Sequence, residues 1–199
     1  MFMHNNDMDA LAFLRADHEN LLGILESLER GRGDGEAGLR ARGDMATSLV
    51  MAASQHEVVE EEFFWPAVRR TLPDGDELAD QAIAQEEAAK ELLQQIEKSA
   101  VGSTEFEEAL TEFSASARLH IDFEQGQVWP RFAAAERPET LTELGRKMAA
   151  ARKLAPTRPH PETPAKPGVL KTAGVVVAAI DKLRDLTSGR RSKQPPPPS

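Results

Sequence analysis

The 199-residue chain contains no cysteine and no tyrosine. Without cysteine there are no disulfides, no thiolate nucleophile, and no thiolate-bound zinc or iron–sulfur cluster. Without tyrosine there is no phenolate ligand and no tyrosyl radical. No apolar run approaches the about 20 residues needed to span a bilayer as a helix. Met1 to Asn6 carry none of the Lys or Arg of a secretory leader. The expected setting is therefore cytoplasmic, which the lack of cysteine fits. Alternating β-branched stretches are missing too, so no segment reads as a strand.

Acidic residues, by contrast, are abundant, and the net charge is −9. Residues 1–149 hold 14 basic against 30 acidic side chains, a balance of −16. Residues 150–199 hold 10 against 3, a balance of +7. An acidic body argues against nucleic-acid binding by the main domain. The basic tail can fold back on that body, or meet a protein or an anionic surface.

Apolar residues recur at helical spacing through most of the chain. A first helix is expected from Asp7 to Glu29, with Leu11, Leu14, His18, Leu21, Leu25 and Leu28 in line. The glycine cluster Gly31 to Gly35 ends it. A second runs from Gly38 to Arg70, with Met45, Leu49, Ala53, His56, Glu60, Phe63 and Ala67 inward. A third, Asp76 to Ser99, lines up Ala82, Glu86, Ala89, Leu93 and Ile96. A fourth, Thr104 to Ala134, lines up Phe106, Leu110, Phe113, Ala117, His120, Glu124 and Val128. A shorter fifth covers Pro138 to Leu154. Short connections make neighbours antiparallel, so the fold class is all-α: an up-down-up-down four-helix bundle with a fifth helix packed on it.

Residues 1–154 form this domain. Residues 155–168 are a proline-rich linker, 169–187 a short amphipathic helix, and 188–199 a disordered tail. The amphipathic helix carries Val176, Ile180 and Leu183 on one face near Lys171, Lys182 and Arg184. That permits interfacial membrane binding or docking on a protein.

One eleven-residue phrase occurs twice. His56 to Pro66 and His120 to Pro130 share His, Glu, Trp and Pro at offsets zero, four, nine and ten. Four residues apart on a helix, an imidazole and a carboxylate share a face. His18 precedes His56 by 38 residues, and Glu86 precedes His120 by 34. Each half is thus a helical hairpin with one donor on its first helix and His-x-x-x-Glu on its second. His18, His56, Glu60, Glu86, His120 and Glu124 are the polar exceptions on otherwise apolar lines. Buried carboxylates are costly unless paired or bound to a cation, so these six are the candidate metal ligands. Glu60 and Glu124 are placed to bridge two metals.

The tryptophans at offset nine read as apolar plugs for one end of the bundle, or as groups that tune the site. Pro66 and Pro130 are expected to end or kink their helices nearby. His4 and His160 lie near the chain ends, outside the set.

Asp17-His18-Glu19, then His56-x-x-x-Glu60-Glu61 with Pro66, then His120-x-x-x-Glu124 with Pro130, resemble the hemerythrin-like HHE cation-binding domain over about residues 8–135. The resemblance implies a four-helix bundle with a non-haem di-iron centre, oxo- or hydroxo-bridged. It also implies small ligands such as dioxygen, peroxide or nitric oxide. Iron over manganese or zinc rests on this resemblance, because His and carboxylate ligands suit several ions.

Where the family usually places a histidine on the third helix, this chain reads Gln85-Glu86-Glu87. Three histidines and three carboxylates make a harder, more anionic set, which stabilises ferric iron and weakens reversible oxygen binding. The resemblance also raises Glu57 as an extra ligand. The competing reading puts Glu57, Glu61 and Glu62 on a solvated acidic face. The expected function is detoxification or sensing of small oxidants, not bulk oxygen carriage. The alternative is an iron- or oxygen-responsive binding module without turnover.

Overall fold

The computed structural model describes residues 8–31 and 35–160. Helix α1 spans Ala10–Arg30 and α2 spans Gly35–Val59, which passes through a π-helical turn at Glu60–Phe64 into α3, Trp65–Thr71. Helix α4 spans Gly75–Lys98. Helix α5, Thr104–Phe123, passes through a second π turn at Glu124–Val128 into α6, Trp129–Ala135. Helix α7 spans Pro138–Arg152. With α2–α3 and α5–α6 each counted as one rod, the described residues form the expected five helices and no strand. None of the helices there is long and apolar enough to cross a membrane.

Local chemistry sets the helix ends. Asp9 caps α1, its Oδ1 accepting from the Ala12 amide at 2.9 Å. Ser103 caps α5 in the same way at Phe106. Gly102 makes the tight α4–α5 turn with a φ of 83°, a left-handed conformation that favours glycine. Gly75 begins α4 so close to α3 that a Cβ there would lie 2.3 Å from the Val68 carbonyl oxygen.

Two apolar clusters fill the interior. One gathers Phe13, Leu14, Val59, Phe64, Trp65, Trp129, Phe132 and Met148. The other gathers Leu21, Leu25, Leu49, Leu93, Phe106 and Phe113. On each long rod the polar exceptions fall between the clusters. His18 lies between Leu14 and Leu21, and Glu86 between Ala82 and Leu93. The polar residues therefore form one layer, sealed above and below by hydrocarbon.

The π turns change the helical phase. The Trp65 amide donates to the Glu60 carbonyl and the Trp129 amide to the Glu124 carbonyl, five residues back in each case. One extra residue in a turn rotates everything beyond it by about 100°. The inward line expected through Phe63 consequently shifts. Phe63 is only half-buried, while Phe64 and Trp65 are fully buried. The prolines neither end the rods nor stand in a regular α-helical interior. Each sits in the first turn after the wide one, where its missing N–H and its ring are accommodated, and helix continues for five more residues.

Helix α7 packs along α1. Gly145 makes this approach possible, since a Cβ there would lie 2.2 Å from the Met8 carbonyl oxygen. Of the expected linker, residues 155–160 are described. They lie against the bundle, with Ala155 and Thr157 buried and Arg158 paired to Glu97 at 2.5 Å. The rest of that linker, the amphipathic helix and the tail lie outside the described residues.

Candidate metal centre

All six expected donors converge in the polar layer. His18, His56, Glu60 and Glu124 form one group, and Glu60, Glu86 and His120 another. Within each group the donor atoms lie within 4.8 Å of one another, and Glu60 belongs to both. Glu60 Oε2 is 3.2 Å from His56 Nε2 and 3.8 Å from His120 Nε2. Glu124 turns one oxygen to each side, Oε2 at 3.1 Å from His18 Nε2 and Oε1 at 3.5 Å from His120 Nε2. Glu86 Oε1 is 3.9 Å from His120 Nε2.

The three imidazoles present Nε2 to the centre because each Nδ1 faces a different side chain. His120 Nδ1 lies 2.9 Å from Gln85 Oε1 and donates to it. His18 Nδ1 lies 2.9 Å from the Gln125 amide. There the amide Nε2 faces the ring and donates to Nδ1; a half-turn of the amide would instead let its oxygen accept from Nδ1–H. His56 Nδ1 faces Asp17 Oδ2 at 3.6 Å.

These tethers follow a rule that was not read from the sequence. Asp17 adjoins His18 but faces His56, Gln85 adjoins Glu86 but holds His120, and Gln125 adjoins Glu124 but holds His18. Consecutive helical residues differ by about 100° in azimuth, so the neighbour of an inward donor points across to the next helix. The signal was a polar residue flanking three of the donors, His18, Glu86 and Glu124.

The tryptophans do more than plug. Trp65 Nε1 donates to Glu86 Oε1 at 2.7 Å. The Trp129 ring stacks on His18, with centroids 5.0 Å apart and planes 14° from parallel. Both still belong to the same apolar cluster, as plugs of one end would.

Glu57 and Glu61 correct the expected acidic face, since both are buried. Lys90 neutralises this corner, with Nζ 2.6 Å from Glu61 and 2.9 Å from Glu87. Burial pushes the Glu57 carboxyl up to about 8, against the pull of Lys90. Glu62 is half-buried.

The electrostatics of the layer are those of crowded, desolvated charge. Burial, then the Glu60 charge, pushes Glu86 and Glu124 well above the usual carboxylate range. At Glu60, burial is overcome by His56 and His120, which hold its carboxyl below that range. At His56, burial is overcome by the Glu60, Glu124 and Glu86 carboxylates, which raise the imidazole to about 9. Burial, then His56, lowers His18 well below the ordinary imidazole value.

Both oxygens of Glu60 and Glu124, Oε2 of Glu86 and Nε2 of His120 are buried without a hydrogen-bond partner. At about 1–3 kcal/mol for each unsatisfied buried polar atom, six of them would cancel much of a domain's ~5–15 kcal/mol stability. A cation at the convergence of these atoms would satisfy them together. The residues present therefore fit a metal, and metal uptake would displace protons from the layer.

Beside His120 lies a cavity of about 40 Å³. Leu21, Ala53, Phe113, Ala117 and Ile121 form its apolar wall, and His56, Glu57, Glu86 and His120 its polar floor. A water needs about 10–15 Å³ by this measure, whereas drug-sized ligands occupy about 300–1,000 Å³ pockets. The cavity suits a molecule of two or three heavy atoms.

Comparison with known proteins agrees with this geometry. The model of the hemerythrin HHE cation-binding domain matches residues 9–132. An uncharacterized hemerythrin-like protein of Schizosaccharomyces pombe is 30% identical over 139 residues, covering 69% of this chain and 68% of that protein. No solved structure matches the chain. The bundle, the buried His/Glu cluster and the matched span lead to one conclusion: the chain belongs to the hemerythrin HHE cation-binding family.

Proposed function

We propose that this chain is a non-haem di-iron protein that handles dioxygen, peroxide or nitric oxide, in detoxification or sensing and not in bulk oxygen carriage. The observation that carries the reading is the pair of donor groups sharing Glu60. In this reading His18 and His56 would hold one iron and His120 and Glu86 the other, and Glu60 and Glu124 would serve both. Iron is the ion the family resemblance implies. Once bound, it supplies Lewis acidity and one-electron redox chemistry.

The chain's own residues do the rest. Asp17, Gln85 and Gln125 keep the rings facing inward, the two apolar clusters exclude bulk water, and the cavity limits what reaches His120. Three carboxylates in six donors favour the ferric state over reversible oxygen binding. The small cavity favours diatomic or peroxide-sized ligands over organic substrates.

Anaerobic iron loading tests the reading, followed by air, peroxide and nitric oxide in turn under absorption spectroscopy. About two irons per chain are expected, with irreversible oxidation in air. Oxygen release from peroxide that His56→Ala abolishes would mark turnover. Stoichiometric oxidation alone would mark the sensing branch. Reversible oxygen spectra would overturn the exclusion of carriage, and a chain that takes up no divalent metal would overturn the whole reading.

A further inference from the structure

His56 is the one imidazole of the three whose outward nitrogen faces a carboxylate. That carboxylate, on Asp17, is only 1% exposed. Its Oδ1 accepts from Arg152 Nη1, in a direct ion pair with the last residue of α7. Its Oδ2 has no hydrogen-bond partner and lies 3.6 Å from His56 Nδ1, which has none either. Arg152 is 8% exposed as a residue, and its guanidinium also lies over the Phe13 ring, 5.9 Å from its centroid.

We propose that Arg152 and Asp17 are positioning residues of the metal centre, the guanidinium of the fifth helix fixing the Asp17 carboxylate and the carboxylate fixing the His56 ring through Nδ1. The inference rests on the reading above that His56 is a ligand.

Three observations support it. A buried ion pair is a poor device for stability alone, since desolvation offsets its attraction and an apolar pair of equal volume often does as well. An outer carboxylate on a ligand imidazole, in contrast, fixes the ring's tautomer and orientation and raises its basicity. Helix α7 also reaches Asp17 by rigid contact, because Gly145 sits directly on the start of α1 and Met148 is fully buried beside it. Finally, Arg152 lies twenty residues beyond the segment the family model matches, 9–132. The fifth helix thus becomes a working part of the centre.

The test uses the full chain as Arg152→Ala, Arg152→Lys and Asp17→Asn, each loaded with Fe²⁺ and separately with Co²⁺. Three measurements are made: ions bound per chain, the rate of their removal by a chelator, and the hyperfine-shifted imidazole N–H resonances of the Co²⁺ form. Arg152→Ala and Asp17→Asn should speed the loss of one of two ions by about 10–100-fold and shift or abolish one N–H resonance. Arg152→Lys, which keeps the charge, should restore part of the effect. Wild-type release rates with unchanged resonances would overturn the proposal. So would equal weakening of both ions that merely follows a fall in thermal stability. Should Arg152→Ala not fold, the near-isosteric Asp17→Asn decides alone. A wild-type chain that binds no Fe²⁺ or Co²⁺ would instead sink the reading of His56 as a ligand.

Discussion

The two halves of the centre carry the same phrase, the same π turn and the same Trp-Pro, yet their surroundings differ. His18 is completely buried, roofed by Trp129 and held by Gln125. The His120 side chain is 12% exposed and stands beside the cavity. Internal repetition therefore duplicated the donors but not their access to solvent. In the proposed reading both halves hold iron, and the small ligand enters beside His120. The carboxylate Glu86, where the first half has His18, lies on the cavity side.

The largest expected effect comes from removing the two histidines in turn. Each of His18→Ala and His120→Ala should lower iron content by about one per chain. His18→Ala should also reduce the urea-unfolding stability of the metal-free protein, by about 2 kcal/mol or more beyond His120→Ala, because its void cannot be filled by solvent. Equal losses would erase the distinction between a sealed histidine and an open one.

A smaller effect should follow from narrowing the cavity. Ala117 is half-buried on its wall, so Ala117→Leu should fold normally and keep its iron. Stopped-flow reaction with nitric oxide should slow about tenfold, the equivalent of about 1.4 kcal/mol on the entry barrier. An unchanged rate would place the route of entry elsewhere.

The smallest effect is a pH dependence of the metal-free protein. His56, raised to about 9, and Glu57, raised to about 8, keep protons in the folded chain that the unfolded chain would already have lost. Their contribution is fully present below the unfolded values and disappears as pH rises through 8 and 9. Glu86 and Glu124, also raised, act in the same direction. His18 has the opposite sign, since its lowered value costs stability only below its ordinary range. The urea midpoint of the metal-free chain should therefore fall between pH 7 and 9.5. A rise would mean that these protons are not held in the folded polar layer.

Much of this was legible in advance. All five helices fell within a few residues of expectation, because caps, glycine turns and 3.6-residue periodicity are local signals. The convergence of the six polar side chains was legible because each breaks an apolar line. What the periodicity missed begins at Glu60 and Glu124. A π turn leaves no gap in an apolar pattern, so Phe63 was placed inward where Phe64 and Trp65 belong. Glu57 was misread as solvated because its burial depends on Lys90 and the neighbouring helix, both remote in sequence. Asp17, Gln85 and Gln125 stood in plain view beside donors, but their partners lie on other helices.

The sequence by itself determined the bundle, the order of the hairpins and which six side chains meet in the polar layer. These follow from spacing along single helices, which the backbone hydrogen-bond geometry fixes. Only the tertiary structure decided that His18 and His120 are held by Gln125 and Gln85 from neighbouring helices, that His18 is sealed while His120 stands beside the cavity, and that Arg152 reaches Asp17. Those facts depend on the rotation and depth of one helix against another, quantities that one added residue in a turn changes without altering any local pattern.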